Sequence, residues 1–474
     1  MNRFKIRILL IEILIFSIPL FSQSEFIKGV DVSTLLQIED NGGVFKENGV
    51  IKDPVQIFKD HKINFIRLKI WHTPSNDYNN LQKVLIAALR IKSNGLKFLL
   101  DFHYSDTWAD PAHQTKPAAW NSLTFQSLKD SIYTYTKSVI TTLKLNNVLP
   151  DIVQIGNEIT CGMLWDDGRV CDQYNTQQQW INFGELVKEA IRGVNDSLSS
   201  GDTTKIMIHI DRGGDNEGSR WFFDNLIEQN ISFDIIGLSF YPWWHGTLTY
   251  LQNNLNDLAQ RYNKEIILVE TAYPWTLDWC DGTNNIVGDP SQLLPEYPAS
   301  VQGQKSYLID IMNLVYNTFD KKGIGVFYWE PDWICAPSFG SPWENLTFFD
   351  FSGELLESIQ AFDSTLTDIY MEELLNWNYV LNQNFPNPFN PSTKIKFTIP
   401  STDDSLLGGG ERGGLVTLKI FDVLGNEVVT LHNEQKPAGT YEVEFDGNLL
   451  ASGIYFYQLK SGNFFETKKM LLLK

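Results

Sequence analysis

The stretch DIVQIGNEIT, residues 151–160, carries an apolar run straight into the polar pair Asn157 and Glu158. Such a run is typical of a parallel strand that is covered on both faces. A carboxylate at the end of a buried strand needs a reason, because burying an ionised group without partners is unfavourable. Where such strand ends lie in the fold therefore decides what Glu158 can do.

The same unit recurs between residues 26 and 333: a short apolar run, a loop, and a longer segment with helical spacing. The runs are FIKGVDVS (26–33), INFIRLKIW (63–71), KFLLDFHY (97–104), DIVQIGNE (151–158), KIMIHIDR (205–212), FDIIGLSFYP (233–242), EIILVETAYP (265–274) and GIGVFYWEP (323–331). Strands that alternate with helices favour right-handed parallel crossovers. We therefore predict an α/β fold, a (β/α)8 TIM barrel with enlarged loops, and keep a doubly wound open sheet as the alternative.

Each of these runs finishes with polar or aromatic side chains. In a (β/α)8 barrel the carboxyl ends of the strands meet at one mouth, where active sites lie. The strand-end residues are Asp31 and Ser33, Arg67 and Trp71, Asp101 and His103, Asn157 and Glu158, His209 and Asp211, Ser239 and Tyr241, Glu270, and Trp329 with Glu330. Their convergence on one rim predicts a functional site.

Composition restricts the function classes. A chain of 474 residues exceeds what one core usually organises, so a large and a smaller domain are expected. The net charge of -19 argues against a nucleic-acid partner, which requires a basic surface, although acidity also simply aids solubility. The 14 Trp and 18 Tyr residues are side chains that stack on flat apolar ligand faces, which favours a binding cleft.

The first 23 residues resemble a secretory signal peptide. Three basic residues precede a mostly apolar run, and small and polar residues follow at Ser22 and Gln23, although Glu12 interrupts the run. We expect cleavage near this point, passage through the periplasm, and no transmembrane segment in the mature protein.

Export makes disulfides available to the four cysteines. Cys161 and Cys171 bracket a short loop, and Cys280 and Cys335 can pair if their loops are neighbours. A zinc site is the alternative, but the spacings match no common zinc pattern and the chain has 7 His.

The sequence changes character after residue 367. We predict a barrel domain over 24–367, a linker over 368–381, and a small all-β sandwich over 382–474, where alternating strands are separated by Gly-containing turns.

Two strand-end carboxylates, Glu158 and Glu270, follow strands that are not neighbours in an eight-stranded barrel. Their side chains can therefore face each other across the mouth, which is the arrangement of glycoside hydrolysis by paired carboxyl groups. Asn157 is placed to bind a sugar hydroxyl, and Arg67 and Tyr241 to keep Glu270 ionised. The alternative is that these charges form a structural network. Five Trp are candidate sugar platforms or packing residues: Trp71, Trp108, Trp243, Trp244 and Trp329.

The motifs GVDVS, RLKIW, DFHYSDTWADPAHQTKPAAW (101–120), QIGNE, DIIGLSFYPWW and VETAYPW resemble glycoside hydrolase family 53, the endo-β-1,4-galactanases, over about residues 26–366. The resemblance implies that Glu158 is the general acid/base and Glu270 the nucleophile, with retention of configuration. It implies β-1,4-galactan, the type I arabinogalactan side chain of pectin, as substrate, and a reaction that requires no cofactor.

The resemblance also implies further cleft residues: Asp31, His103, Asn157, Asp211 and Trp329. Some bacterial members carry calcium in the long loop after strand seven. Here that loop offers oxygen ligands of the right kind, so it is a candidate structural calcium loop. The residues are Asp281, Asn284, Asn285 and Asp289.

The motifs NFPNPFNPST, IFDVLGNEV, AGTYEVEFD, LASGIYFYQL and KKMLLLK resemble the C-terminal sorting domain of the type IX secretion system, over residues 380–474. This implies the type IX machinery as a partner and a secreted or cell-surface location. A carbohydrate-binding sandwich is the alternative for this region.

Two rival functions remain open at this point. One keeps the retaining mechanism but cleaves another β-linked polysaccharide. The other is a surface glycan-binding protein without catalysis, against which the presence of both Glu158 and Glu270 argues.

Overall fold

The computed structural model describes residues 25–367, 380–399, 414–436, 439–461 and 464–474. The signal peptide expected over residues 1–23 lies outside these ranges, as does the expected linker 368–381 except for its last two residues.

Residues 25–367 contain a closed barrel of eight parallel strands, in which each strand pairs with its sequence neighbours and the last pairs with the first. The strands are β1 (Ile27–Asp31), β2 (Phe65–Ile70), β3 (Lys97–Phe102), β4 (Ile152–Ile155), β5 (Lys205–Ile210), β6 (Ile235–Ser239), β7 (Glu265–Thr271) and β8 (Gly323–Trp329). Each lies within one of the eight predicted runs. The barrel prediction is confirmed, and the open-sheet alternative is excluded because the sheet closes.

Nine α-helices connect and follow these strands in residues 25–367. They are α1 (Leu35–Asp40), α2 (Pro54–Asp60), α3 (Leu81–Ser93), α4 (Phe125–Leu145), α5 (Gln177–Asn195), α6 (Asn216–Glu228), α7 (Pro242–His245), α8 (Leu248–Tyr262) and α9 (Val301–Tyr316). A 3-10 segment, Glu357–Asp363, follows β8 in place of an eighth barrel helix and packs against α9.

Helix α3 shows how the sequence specifies these elements. The side chain of Asn80 accepts a hydrogen bond from the backbone N–H of Lys83, which satisfies a donor at the helix start. Val84, Ala88 and Ile91 are buried at helical spacing, so one face of the helix packs on the barrel.

An apolar layer fills the barrel interior beneath the mouth. All eight strands contribute to it: Ile27, Phe65, Leu99, Ile152, Met207, Ile235, Ile267, Val269 and Phe327. Gly29 is required in β1, because a Cβ there would lie 2.3 Å from the ring of Phe327. The interior is thus packed solid, and the space for a ligand lies above it at the strand ends.

In the described residues after position 379, every regular element is a β-strand, as predicted. One sheet contains β9 (Val380–Leu381), β10 (Ser392–Ile399) and β13 (Gly439–Asp446); the other contains β12 (Glu427–Lys436), β11 (Gly414–Phe421), β14 (Gly453–Ser461) and β15 (Phe464–Leu472). Alternate residues of both sheets form their own apolar core, which includes Ile395, Phe397, Leu418 and Tyr457. The sheet pairing begins at Val380, inside the last two residues of the expected linker.

The four cysteines form two disulfides, Cys161–Cys171 and Cys280–Cys335. The disulfide interpretation is therefore confirmed over the zinc alternative. Among the residues that the structure describes, no helix combines the length and the apolar character needed to cross a bilayer.

Candidate active site

A cavity of about 270 Å³ opens at the carboxyl ends of the barrel strands. Eight of the predicted site residues line it: Asp31, Arg67, His103, Asn157, Glu158, Tyr241, Glu270 and Trp329. Asp211 does not line it. Its carboxylate accepts a hydrogen bond from Thr160 Oγ1 and lies 3.6 Å from the guanidinium of Arg212.

Arg67, near the end of β2, organises the floor of this cavity. Its NH1 atom donates to Asp31 Oδ2 and to Glu270 Oε1, each at 2.8 Å, and NH2 donates to Asp101 Oδ2 and Asn157 Oδ1, each at 2.9 Å. The side chain is 1% exposed, and although burial lowers its pKa, the surrounding carboxylates raise the pKa above its ordinary value. Arg67 therefore stays charged and ties three buried carboxylates together.

Glu270 lies near the end of β7, opposite Ser239 of β6, because the pairing of these strands shifts register just before this point. Such bulges redirect side chains near active sites. Tyr241 Oη donates to Glu270 Oε2 at 3.1 Å, on the carboxylate oxygen that Arg67 NH1 does not bind. Burial raises the pKa of Glu270 to about 7, and the positive charge of Arg67 opposes this rise.

Glu158 follows β4 with a left-handed backbone, at a φ of 47°. Non-glycine residues in this region are strained by about 1–3 kcal/mol, and they are frequent at functional sites. Ser239 Oγ and Glu158 Oε1 form a hydrogen bond of 2.6 Å. Burial, and then the charges of Glu270 and Asp211, raise the pKa of Glu158 well above its ordinary value.

The two glutamates face each other, since a carboxylate oxygen of Glu158 lies within 4.8 Å of one of Glu270. Their environments differ. Glu270 contacts the permanent charge of Arg67, whereas Glu158 contacts a neutral hydroxyl. Such differences push the pKa values of two nearby carboxyl groups apart, so that one can hold a proton while the other is ionised.

His103 supports the site from β3. Its Nδ1 accepts hydrogen bonds from the backbone N–H of Ala109 at 3.0 Å and from Trp71 Nε1 at 3.3 Å. With Nδ1 as an acceptor, the proton lies on Nε2, which is 3.0 Å from Asp101 Oδ2. These contacts indicate that Asp101 and His103 form a hydrogen-bonded scaffold under the cleft, although His103 also reaches the cavity surface.

Aromatic side chains form the walls of the cavity. Of the five candidate platforms, Trp108, Trp244 and Trp329 line it, whereas Trp71 is buried against the His103 ring. Trp243 packs between Trp244 and Trp343 and is not part of the lining.

Two further tryptophans, Trp333 and Trp343, line the cavity from the loop after β8, although no sequence pattern indicated them. The rings of Trp108 and Trp333 are stacked, with an interplanar angle of 8°, and Trp343 packs edge-on against Trp329 at 4.6 Å. An irregular loop has no periodic signal that could have placed them.

A second buried ion pair, Lys69–Glu330, was not predicted from the sequence either. The two side chains meet at 2.8 Å, and the ammonium group of Lys69 lies 4.0 Å from the ring centroid of Trp108. A signal was available, because Arg67 and Lys69 are two residues apart in an otherwise apolar strand and therefore point to the same face.

The two aspartates of the candidate calcium loop are engaged by local donors. Both carboxylate oxygens of Asp281 accept backbone N–H groups, from Thr283 at 2.6 Å and from Ser341 at 2.9 Å. Asp289 caps the 3-10 turn Pro290–Gln292. Asn285 Nδ2 donates to Asp278 O, whereas Asn285 Oδ1 is buried without a hydrogen-bond partner. Calcium binding by this loop, with Asn284 as the fourth residue, stays a prediction.

Two family models match the chain. The model described as "Glycosyl hydrolase family 53" covers residues 27–362, and the model described as "Secretion system C-terminal sorting domain" covers residues 383–473.

Individual relatives match the barrel over most of their own length. An "Uncharacterized protein in bgaB 5'region" from Niallia circulans is 50% identical over 73% of this chain and 95% of its own length. An arabinogalactan endo-beta-1,4-galactanase from Thermothelomyces thermophilus is 36% identical over 71% of this chain and 98% of its own. The solved Ignisphaera aggregans GH53 catalytic domain is 39% identical, with a TM-score of 0.67 over 71% of this chain and 95% of its own.

Proposed function

The chain belongs to glycosyl hydrolase family 53, and we propose that it is an endo-β-1,4-galactanase that cleaves type I arabinogalactan, the side chain of pectin, with retention of configuration. It is a glycoside hydrolase with a secretion sorting domain, which implies secretion or a cell-surface location. The observation that carries the proposal is the pair Glu158 and Glu270, which face each other across an aromatic-walled cleft.

Glu270 is proposed as the nucleophile. Arg67 and Tyr241 hold its carboxylate at the mouth of the barrel, and the guanidinium favours the ionised form that attack requires. In the first step a Glu270 oxygen bonds to the anomeric carbon while the bond to the leaving sugar breaks. The product of this step is a covalent glycosyl-enzyme.

Glu158 is proposed as the general acid and then the general base. Its raised pKa keeps a proton available for the leaving glycosidic oxygen. Once ionised, the same carboxylate takes a proton from the water that attacks the anomeric carbon and releases Glu270. The separation of the two carboxyl groups, within 4.8 Å, supports retention, for which about 5–5.5 Å is typical, over inversion, which needs about 6.5–9.5 Å.

The remaining predicted residues are proposed to bind the sugar or to position those that do. Asn157 lies beside Glu158 and is held by Arg67 and by Ala109 O, so its amide is fixed near a sugar hydroxyl. Trp329 offers an aromatic face at the cleft wall. Asp31 and His103 are proposed as substrate-side residues that act through Arg67 and Asp101. Asp211, which binds Thr160, is proposed to act on Glu158 through its charge.

Two alternative functions share parts of this site. The same two-carboxylate mechanism serves other β-linked polysaccharides, and a glycan-binding protein needs only the aromatic cleft. The galactanase names of two relatives, from Thermothelomyces thermophilus and Bacillus subtilis, favour galactan. The buried and fully partnered Arg67–Glu270 pair favours catalysis, because such a pair in a ligand cleft is a frequent mark of an active site.

The proposal predicts rapid release of reducing ends from β-1,4-galactan and little or none from arabinan, mannan, xylan and β-glucan. The assay uses the full chain beside a fragment of residues 24–367, so that equal kcat values also support the proposed domain boundary. Cleavage of another polymer would keep the mechanism and discard the substrate. Binding of galactan without turnover would instead favour the glycan-binding alternative.

The C-terminal region is proposed to act in export and not in catalysis. We retain the boundaries given above: signal peptide 1–23, barrel 24–367, linker 368–381 and sorting domain 382–474. The sorting-domain match supports the type IX secretion machinery as partner of the last segment.

A further inference from the structure

A single hydroxyl group bridges the two glutamates. Ser239 Oγ lies 2.6 Å from Glu158 Oε1 and 3.3 Å from Glu270 Oε2. Ser239 is fully buried at the end of β6. A hydroxyl has one hydrogen, so Ser239 can donate to only one of these carboxyl groups at a time.

The position of this hydroxyl is fixed by His209 of β5, whose Nε2 lies 2.8 Å from Ser239 Oγ. The backbone N–H of Glu158 donates to the other ring nitrogen, Nδ1, at 3.4 Å. The side-chain amide of Gln154 also lies 3.0 Å from Nδ1, but one of its two hydrogens goes to Asp101 Oδ1 at 2.6 Å. Nδ1 therefore acts as an acceptor, and the ring proton lies on Nε2, where it is donated to Ser239.

The third neighbour of Nδ1 does not change this assignment. Asn157 Oδ1 lies at 3.0 Å from Nδ1, but it already accepts a charged hydrogen bond from Arg67 at 2.9 Å. Burial, and then the charge of Arg67, hold the pKa of His209 well below its ordinary value. The ring is neutral and donates its one N–H hydrogen to Ser239 Oγ. The hydrogen of Ser239 itself is therefore free to turn toward either glutamate.

We propose that Ser239 is a positioning residue whose hydroxyl hydrogen is donated to whichever of Glu158 and Glu270 is ionised, while His209 holds its oxygen in place. This rests on the proposed two-step mechanism. In the free enzyme Glu270 is ionised and receives the hydrogen at 3.3 Å, while protonated Glu158 is the donor in the 2.6 Å contact with Ser239 Oγ. In the glycosyl-enzyme Glu270 is esterified and Glu158 is ionised, so the hydroxyl turns to Glu158. The hydroxyl rotates, and no proton leaves Ser239 in either step.

Other charged and titratable groups also face these side chains, and none of them changes when Ser239 is replaced. They are Asp31, Arg67, Asp101, His103, His209, Asp211 and Tyr241, from β1, β2, β3, β5 and β6 or the residues that follow them. A shift that follows removal of the hydroxyl is therefore due to the lost hydrogen bond.

The test is the pH dependence of kcat/KM for Ser239→Ala in the full chain, with galactan as substrate. The acid limb follows ionisation of Glu270, and the basic limb follows deprotonation of Glu158. In the free enzyme the hydroxyl stabilises ionised Glu270, so its removal raises the pKa of Glu270 and is expected to move the acid limb to higher pH by about one unit. The basic limb should stay in place, because one of the two carboxylates receives the single hydrogen both before and after Glu158 ionises. Ser239→Thr, which restores a hydroxyl, should return the acid limb.

Ser219→Ala is the matched control. Ser219 is a fully buried serine of α6 that donates to Arg212 O at 3.0 Å and accepts from Asn254 at 3.1 Å. Its loss should leave both limbs in place. If Ser239→Ala does not fold, Ser239→Cys fills the site with a weaker donor, and the same upward shift is expected.

A lower kcat with an unshifted acid limb in Ser239→Ala or Ser239→Cys would overturn the proposal, since a merely structural lesion reduces activity without moving the pKa of Glu270. This failure differs from failure of the proposed function. If the parent chain cleaves no polysaccharide, the galactanase assignment fails; if the parent gives a bell-shaped profile that Ser239→Ala leaves in place, only the role of Ser239 fails.

Discussion

Replacing Glu270 with glutamine is expected to lower kcat on β-1,4-galactan by about 10⁴-fold or more, because the amide cannot form the glycosyl-enzyme. The fold should survive. Glutamine retains an oxygen for Tyr241, and Arg67 keeps its bonds to Asp31 and Asp101. The measurements are reducing-end release and the thermal unfolding midpoint of the full chain.

Glu344→Gln is the control for this variant. Glu344 is also a buried carboxyl group of the barrel domain, but it binds the backbone N–H of Cys280 and does not line the cavity. Its replacement should leave kcat within a few-fold of the parent. In Glu270→Gly, added azide should attack in place of the missing carboxylate and yield an α-galactosyl azide from an activated aryl substrate. Retention of more than about 1% of kcat in Glu270→Gln would remove Glu270 from the nucleophile role.

Replacing Arg67 with methionine is expected to lower the free energy of unfolding at neutral pH by about 3–5 kcal/mol, because it leaves buried carboxylates without their cation. Arg67 is 1% exposed and contacts Asp31, Asp101 and Glu270 at 2.8–2.9 Å. Activity should fall as well, since Glu270 loses the charge that keeps it ionised. Urea unfolding of the full chain, monitored by the fluorescence of the barrel tryptophans, measures the loss in the free energy of unfolding.

The deficit of Arg67→Met should grow as pH rises. Burial raises the pKa of Glu270 from 4.5 to about 7 even with Arg67 present. Removal of the Arg67 charge is therefore expected to raise the pKa of Glu270 further. A carboxyl group with a raised pKa in the folded state stabilises the protein below its unfolded pKa. This contribution is lost as pH increases through the folded pKa. The difference between parent and variant is therefore expected to be larger at pH 8 than at pH 5.

Arg90→Met is the matched control for charge. Arg90 binds both carboxylate oxygens of Glu39 at 2.8 Å and also contacts Asp53, but these groups are 22–41% exposed. Exposed pairs contribute about 1 kcal/mol or less. If Arg67→Met destabilised the chain no more than Arg90→Met, the interpretation of Arg67 as the cation that holds the floor of the cleft would be wrong.

The strands and the convergence of their ends could be predicted because they obey simple periodic rules. Each of the eight apolar runs contains one barrel strand, and closure of the sheet brings Arg67, Glu158 and Glu270 together from distant parts of the chain. The pattern was less informative after β8, where the last barrel helix is replaced by the 3-10 segment Glu357–Asp363.

The rest of the site depends on features without a sequence period. Trp333 and Trp343 reach the cavity from an irregular loop. The contact between Ser239 and the two glutamates depends on a one-residue shift in the pairing of β6 and β7, which the sequence does not signal. The calcium loop was expected from the family resemblance and its oxygen side chains, and the sequence did not signal that Asp281 and Asp289 accept hydrogen bonds from local backbone donors.

The most direct test of the central claim, a retaining two-carboxylate galactanase, is the anomeric form of the first product. Proton NMR of β-1,4-galactotetraose, recorded within the first minutes of hydrolysis by the full chain, distinguishes the new reducing end before it mutarotates. Two successive displacements at the anomeric carbon predict that the β-anomer accumulates first and the α-anomer appears later. Initial accumulation of the α-anomer would show a single displacement by water and would contradict the role given to Glu270.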